Sequence, residues 1–483
     1  MSGRSINIEP LLNLGVVDLI KPLLNDPMNS VQHTACLALF RFANFNEKVA
    51  TNLVQNDILS FLLFPTKQPT KHMKKLIANV YRALCRYNST LTEELVNQGV
   101  IPSLIICFDE YDPSVKEAAA LAFGQIAKHN DSLATKMSDS GAIQVLLMSL
   151  QESDCALRAS SAHALAEIIS HSIDLARIVV EDGGISIATK ILSNRDKRVQ
   201  KGVLHLLSEV AKHSIEMAEA IVNEDILSDL KDILRSLDES VKRNCVNLIK
   251  ELVKYSDLIS DELLREDGLN LVVEYVDENK GTSRVPGITA IGFISSHSER
   301  LANVVINSKG INAVKKTILE EDDEELLIIA AWALQQIGSH TPNTAKRIAE
   351  EGCLDILLDL YNSAKSDRLR DEAELALKQI LQMTTCLEYL YPMIRSSPES
   401  ILQYIFIQFV KILPNDGNYR KEFVTTGSLK LIQEIPRQNN DRIDNYIKAI
   451  NKCYPEEIVE FYSPGYCETL MKKIETFNME EVT

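Results

Sequence analysis

The longest apolar stretch in the sequence, Leu326–Leu334, is about half the length of a membrane-spanning helix. The first residues, Met-Ser-Gly-Arg-Ser-Ile-Asn, lack the apolar segment of a secretion signal. Both absences point to a soluble protein of the cytosol, with no membrane partner. Cysteine pairing motifs are missing too. The nine cysteines include no C-x-x-C pair and form an odd, scattered set, which fits a reducing compartment better than a disulfide framework. Positive charge is in deficit: 51 Lys and Arg stand against 67 Asp and Glu, a formal charge of −16. Such a surface disfavours phosphate backbones and anionic membrane, and favours basic segments as partners. No G-x-G-x-x-G, Walker A, G-x-S-x-G or kinase signature set occurs, so neither a cofactor nor a catalytic centre is expected.

What the sequence does have is a beat. Gly15, Asp57, Gly99, Gly141, Gly183 and Asp225 recur every 42 residues, each followed by an aliphatic run, and the series continues at Gly268, Gly310 and Gly352 with one step of 43. A second column runs Phe45, Tyr87, His129, His171, His213, Tyr255 and His297 at the same interval, then His340 after 43. A fixed period of this size is the mark of a helical solenoid, whose units bury their apolar faces only against their neighbours.

Residues 130–171 show one unit. Asn130 stands where a helix N-cap belongs, and its sister positions hold Ser172, Ser214, Ser256, Ser298 and Thr341, the last followed by Pro342 in the N1 slot. A short helix, Ser132–Asp139, ends at Gly141, where positive φ is tolerated. A second helix carries Ile143, Val145, Leu146, Leu147 and Leu150. A third, Leu157–His171, places Ala159, Ala162, Ala164, Leu165 and Ile168 at helical spacing, with small residues where helices approach. Short, medium and long helix in one period is the armadillo pattern. The expected fold is all-α: an armadillo-repeat, right-handed superhelical solenoid of three-helix units with degenerate C-terminal repeats. Nine repeats fill 1–384, the first N-terminally shortened; two degenerate units fill 385–453; a cap and tail fill 454–483. Pro286 and Gly287 imply a kink or a late start in the third helix of repeat seven.

In an armadillo stack the third helices line the concave groove, and residues four apart share a face. The groove then reads Leu121/Gln125/His129, His163/Glu167/His171, His205/Glu209/His213, Asn247/Glu251/Tyr255, Thr289/Phe293/His297 and Trp332/Gln336/His340. Seven of the nine histidines and the single tryptophan fall on this stripe. The central glutamates suit a basic, extended segment. A histidine at a helix end can equally complement the helix dipole and pack on the next repeat, and the glutamates can be a solvated face. His163 and His171 are too far apart to share a metal, since i and i+8 are about 12 Å apart along a helix. H-E-x-x-H is absent, so no metal site is expected. The Trp–Asn ladder with which importin-α proteins hold nuclear signals is also absent: the two columns pair as Leu121/Gln125, His163/Glu167, His205/Glu209 and Asn247/Glu251.

The segment Ile450-Asn-Lys-Cys-Tyr-Pro-Glu-Glu-Ile-Val-Glu-Phe-Tyr-Ser-Pro-Gly-Tyr466 resembles the closing segment of the sperm-associated antigen 6 family. So do Gly281-Thr-Ser-Arg-Val-Pro-Gly-Ile288, Ala330–Pro342, Asp112–Ala119 and Phe423-Val-Thr-Thr-Gly427, giving a similarity along nearly the whole chain. The family carries an additional N-terminal helical segment, whereas this chain opens close to its first loop glycine, Gly15. The resemblance implies a structural component of the axonemal central apparatus of cilia and flagella. Such a protein sits on the central-pair microtubules, binds other central-apparatus proteins, and is needed for axoneme integrity and motility. Two alternatives stand beside it. One is a soluble cytosolic adaptor that binds a basic extended peptide; the other, less favoured, is a ubiquitin-ligase subunit, although no RING-like spacing or U-box accompanies the array. An uncapped first repeat also suggests self-association end to end.

Overall fold

The computed structural model describes residues 14–63, 69–435 and 441–480. The beginning of the first repeat, expected to be shortened, lies outside the described residues. Each repeat starts where a side chain satisfies the free amides of a helix. Asn130 accepts from the Leu133 amide at 2.9 Å, and Ser172 from the Asp174 amide at 3.2 Å. Thr341 and Thr344 cap each other's backbone reciprocally, with Pro342 in the first turn. Residues 131–169 form the helices Asp131–Asp139, Ala142–Leu150 and Cys155–Ile169. The last begins two residues earlier than the apolar spacing suggested, because Asp154 caps it by accepting from the Leu157 amide at 2.8 Å. Asp112, Asp196 and Asp238 do the same for their third helices. That aspartate column repeats every 42 residues in the sequence.

Two of the expected loop markers move by one residue. The left-handed residues of repeats seven and eight are Asp267 (φ 60°) and Lys309 (φ 62°), not Gly268 and Gly310. The interval of 42 then runs unbroken from Gly15 to Lys309. The single added residue falls between Lys309 and Gly352, in agreement with the 43-residue step from His297 to His340. Gly268 and Gly310 instead open the medium helices. A Cβ on Gly310 would lie 2.5 Å from Val305 Cγ1, so this glycine answers to close packing, not to backbone conformation.

The chain divides into two compact units, one ending at Glu262 and one beginning at Leu263. In the first, the third helices Asn29–Ala43, Lys71–Leu84, Pro113–Ala127, Cys155–Ile169, Lys197–Ala211 and Glu239–Val253 stack in sequence order. Fully buried Ala119, Ala122, Ala162 and Ala164 let these helices approach. Between them and the medium helices lie Leu146, Leu150 and Leu165, also fully buried. Each such side chain contributes about 1.5–3 kcal/mol of transfer free energy.

In the second unit, Val285–His297, Glu324–Gly338, Asp367–Met383, Glu399–Ile412 and Asp441–Asn451 stack in the same way. The late start expected at Pro286 is present: the third helix of repeat seven begins at Val285, after a 3-10 turn over Gly281–Arg284. Arg284, 1% exposed, organises that turn. Its Nε donates to the carbonyls of Val276 (3.1 Å) and Asn279 (2.7 Å), and its Nη2 to Glu320 at 2.7 Å. Glu321 accepts the Gly281 amide at 2.8 Å and lies 3.4 Å from Arg284. Where the period fails, aromatic packing takes over. Phe409 and Phe423 meet with ring centroids 4.9 Å apart, and Tyr391 and Tyr454 pack on Phe423 at 5.8 and 6.2 Å. Tyr454 thus joins the helices Glu456–Tyr462 and Tyr466–Glu480 to the array.

Candidate protein-binding face

The last residues of an α-helix leave carbonyl oxygens without intrahelical donors. The aromatic column of the sequence supplies those donors from the next repeat. His171 Nε2 donates to the Ala127 carbonyl at 2.9 Å, and His213 Nε2 to Ile169 at 2.7 Å. His129 does the same to Cys85, and the Tyr255 hydroxyl to Lys212. Tyr87 donates to Ala43 at 3.0 Å. In the second unit His340 donates to Ser295 at 2.7 Å. A carbonyl can only accept, so Nε2 carries the proton in each histidine. The chemistry of these residues is spent on joining one repeat to the next.

The residues at the middle of the stripe divide by unit. In the first, Glu167 and Glu209 are half-buried, with side chains 19% and 18% exposed. Glu251 is buried and pairs with Lys250 at 2.7 Å. An accessible row of three carboxylates therefore shortens to two. Neither is isolated: Glu167 Oε1 lies 3.8 Å from His163 Nδ1, and Glu209 lies 3.9 Å from His205 Nε2 and 3.1 Å from Lys212 Nζ. His163 and His205, from successive third helices, bring their rings to 5.6 Å. Burial lowers the His163 pKa, as do His205, Lys128 and Arg82, while Glu167 opposes them. Spacing along one helix groups His163 with Glu167 and His171; the lateral pairing of His163 with His205 is signalled only by consecutive histidines in one column.

In the second unit the stripe is aromatic. Phe293 and Trp332, both half-buried, meet edge to face with centroids 5.2 Å apart. Trp332 lies against Gly292, where no side chain could be accommodated. Gln336 and His297 are half-buried on the same helices. Among the described residues, no helix is long and apolar enough to cross a membrane.

No family model matches the chain. Sperm-associated antigen 6 of Homo sapiens and that of Mus musculus are each 43% identical to it over 159 residues, 33% of this chain and 31% of theirs. The chain thus spans about a third of the length of these curated relatives, a shorter match than the near-complete similarity expected from the motifs. Among solved structures, an engineered protein superimposes with a TM-score of 0.70 over 90% of this chain and 98% of its own, at 20% identity. A designed armadillo repeat protein covers 49% of this chain and 99% of its own, with a TM-score of 0.46 and 19% identity. Three-helix units, their 42-residue interval and the sequence match converge. The chain is an all-α armadillo-repeat protein related in sequence to sperm-associated antigen 6.

Proposed function

We propose that the chain is a non-catalytic scaffold of the ciliary and flagellar axoneme, holding central-apparatus proteins on the central-pair microtubules. The observation that carries this reading is the 159-residue match to sperm-associated antigen 6. The fold supports the scaffold part, because within each unit the stacked third helices present an extended face to a partner. Nine repeats to residue 384, two degenerate units over 385–453 and a cap over 454–483 form the array. Each unit carries its own partner surface on its third helices, from His129 to Tyr255 in the first and from Phe293 to His340 in the second. The charge of −16 favours basic axonemal proteins or the body of tubulin over its acidic tails. The test is to express the tagged protein in a flagellated cell. Signal along the axoneme is expected, and even cytoplasmic staining with none on the axoneme removes the reading.

The half-buried carboxylates of Glu167 and Glu209 favour a second reading, a soluble adaptor for a basic extended peptide. Replacing both with Gln weakens such a complex and flattens its salt dependence. Unchanged binding and salt dependence would remove the acidic-face reading.

A further inference from the structure

We propose that His163, Glu167 and His205 form a binding site for a divalent transition-metal ion of the zinc class, clamping the third helices of repeats four and five. The three side chains each offer one ligand atom, and these atoms all lie within 4.8 Å of one another. His163 and Glu167 share one helix face, with Nδ1 and Oε1 3.8 Å apart. His205 reaches in from the next helix, its ring 5.6 Å from that of His163. The distance that forbids two ligands at i and i+8 does not apply, because the third ligand comes from the neighbouring repeat. Bonds of about 2.0–2.2 Å place the ligands of one metal roughly 3–3.5 Å apart. The cluster must therefore close by about 1–2 Å, within reach of side-chain rotation for His163 (51% exposed) and His205 (36% exposed).

The backbone brings these helices unusually near each other at this point. Gly202, one turn before His205, faces Ala159 so closely that an added Cβ would lie 2.9 Å from its carbonyl oxygen and 3.1 Å from Ala162 Cβ. Only here does the column place histidines in consecutive repeats: it reads Leu121, His163, His205, Asn247. Two imidazoles and a carboxylate suit Zn2+, Ni2+ or Cu2+ and not Mg2+ or Ca2+, which take oxygen ligands. Glu209, 3.9 Å from His205 Nε2, adds negative charge beside the site. Lys128 and Arg82 act against the cation, and Glu167 must offset them. Three protein ligands leave a fourth position open to water or to a donor from a bound partner. None of this depends on the axonemal reading.

The test is calorimetric titration of the full chain with Zn2+ at neutral pH, in a Cys467→Ser background because that thiol is exposed. One equivalent is expected to bind, with resonances of the His163 and His205 rings shifting. Glu167→Gln or His205→Ala should weaken it at least ten-fold, and His163→Gln with His205→Gln should abolish it. Mg2+ should give no saturable heat. Circular dichroism establishes that each variant is folded. Absence of saturable binding to the wild-type chain, or an unchanged equivalent in the folded double variant, overturns the site.

Discussion

His171 donates its Nε2 proton to the carbonyl oxygen of Ala127, 2.9 Å away and 44 residues earlier in the chain. Ala127 is the last residue of its helix, so the bond satisfies an orphan carbonyl and fixes the register of two repeats at once. His213 to Ile169 and His340 to Ser295 repeat it, and Tyr87 and Tyr255 substitute a hydroxyl for the imidazole. Phe45 heads the column without a donor; at Tyr87, His129, His171, His213, Tyr255 and His340 the shared feature is a donor of a given reach, not a titratable ring.

His213→Ala should therefore destabilise the first unit by about 1–2 kcal/mol, the usual cost of an unmade hydrogen bond at a part-buried carbonyl. His213→Tyr should recover most of that loss and His213→Phe should not. Urea unfolding followed by circular dichroism checks this. Equal effects of Tyr and Phe would show that packing, not the donor, matters.

Lys309 holds a left-handed backbone at φ 62° without being glycine. Lys309→Gly should stabilise the second unit by about 0.5–1 kcal/mol. At the next position Gly310→Ala should destabilise it, because the added methyl meets Val305. Thermal unfolding of the two variants should shift in opposite directions. A shift of the same sign in both would contradict the assignment of the two roles.

Arg284, 1% exposed, binds two carbonyls and faces Glu320 and Glu321. Arg284→Ala leaves these acceptors uncompensated and should cost the second unit about 3–5 kcal/mol. Lys cannot reproduce the fork of donors and should rescue little. Chemical unfolding of both variants tests this. A loss below about 1 kcal/mol would show that the Arg284 contacts do not hold the turn together.

The lowered pKa of His163 links stability to pH. Below its ordinary value of 6.5 the unfolded chain takes up a proton that the folded chain resists. This residue's contribution is thus fully present above that value, is lost as pH falls toward the folded pKa, and then levels off. His163→Asn should shrink the drop in urea midpoint between about pH 7.5 and 5.5. An identical pH profile in the variant would show that His163 is not the group responsible.

The fold was legible because 42-residue spacing, cap residues and loop markers agree with one another. What stayed hidden were relations between repeats. Nothing along one helix announces that His163 and His205 meet, or that Glu251 turns inward to Lys250 while Glu167 and Glu209 stay accessible. The glycine at 310 misled for a related reason. Glycine serves both positive φ and close approach, and only the three-dimensional neighbours separate the two. The aspartate column at 112, 154, 196 and 238 was visible in the sequence, but its capping role shows only in the bonds to the backbone.

The most direct measurement of the scaffold reading is a cross-linking map of the protein in isolated axonemes. Cross-links from lysines bordering the third helices, such as Lys128, Lys212 and Lys254, to central-apparatus proteins are the predicted result. Recovery of the protein without axonemal cross-links, or with cross-links only to soluble cytosolic proteins, would contradict it.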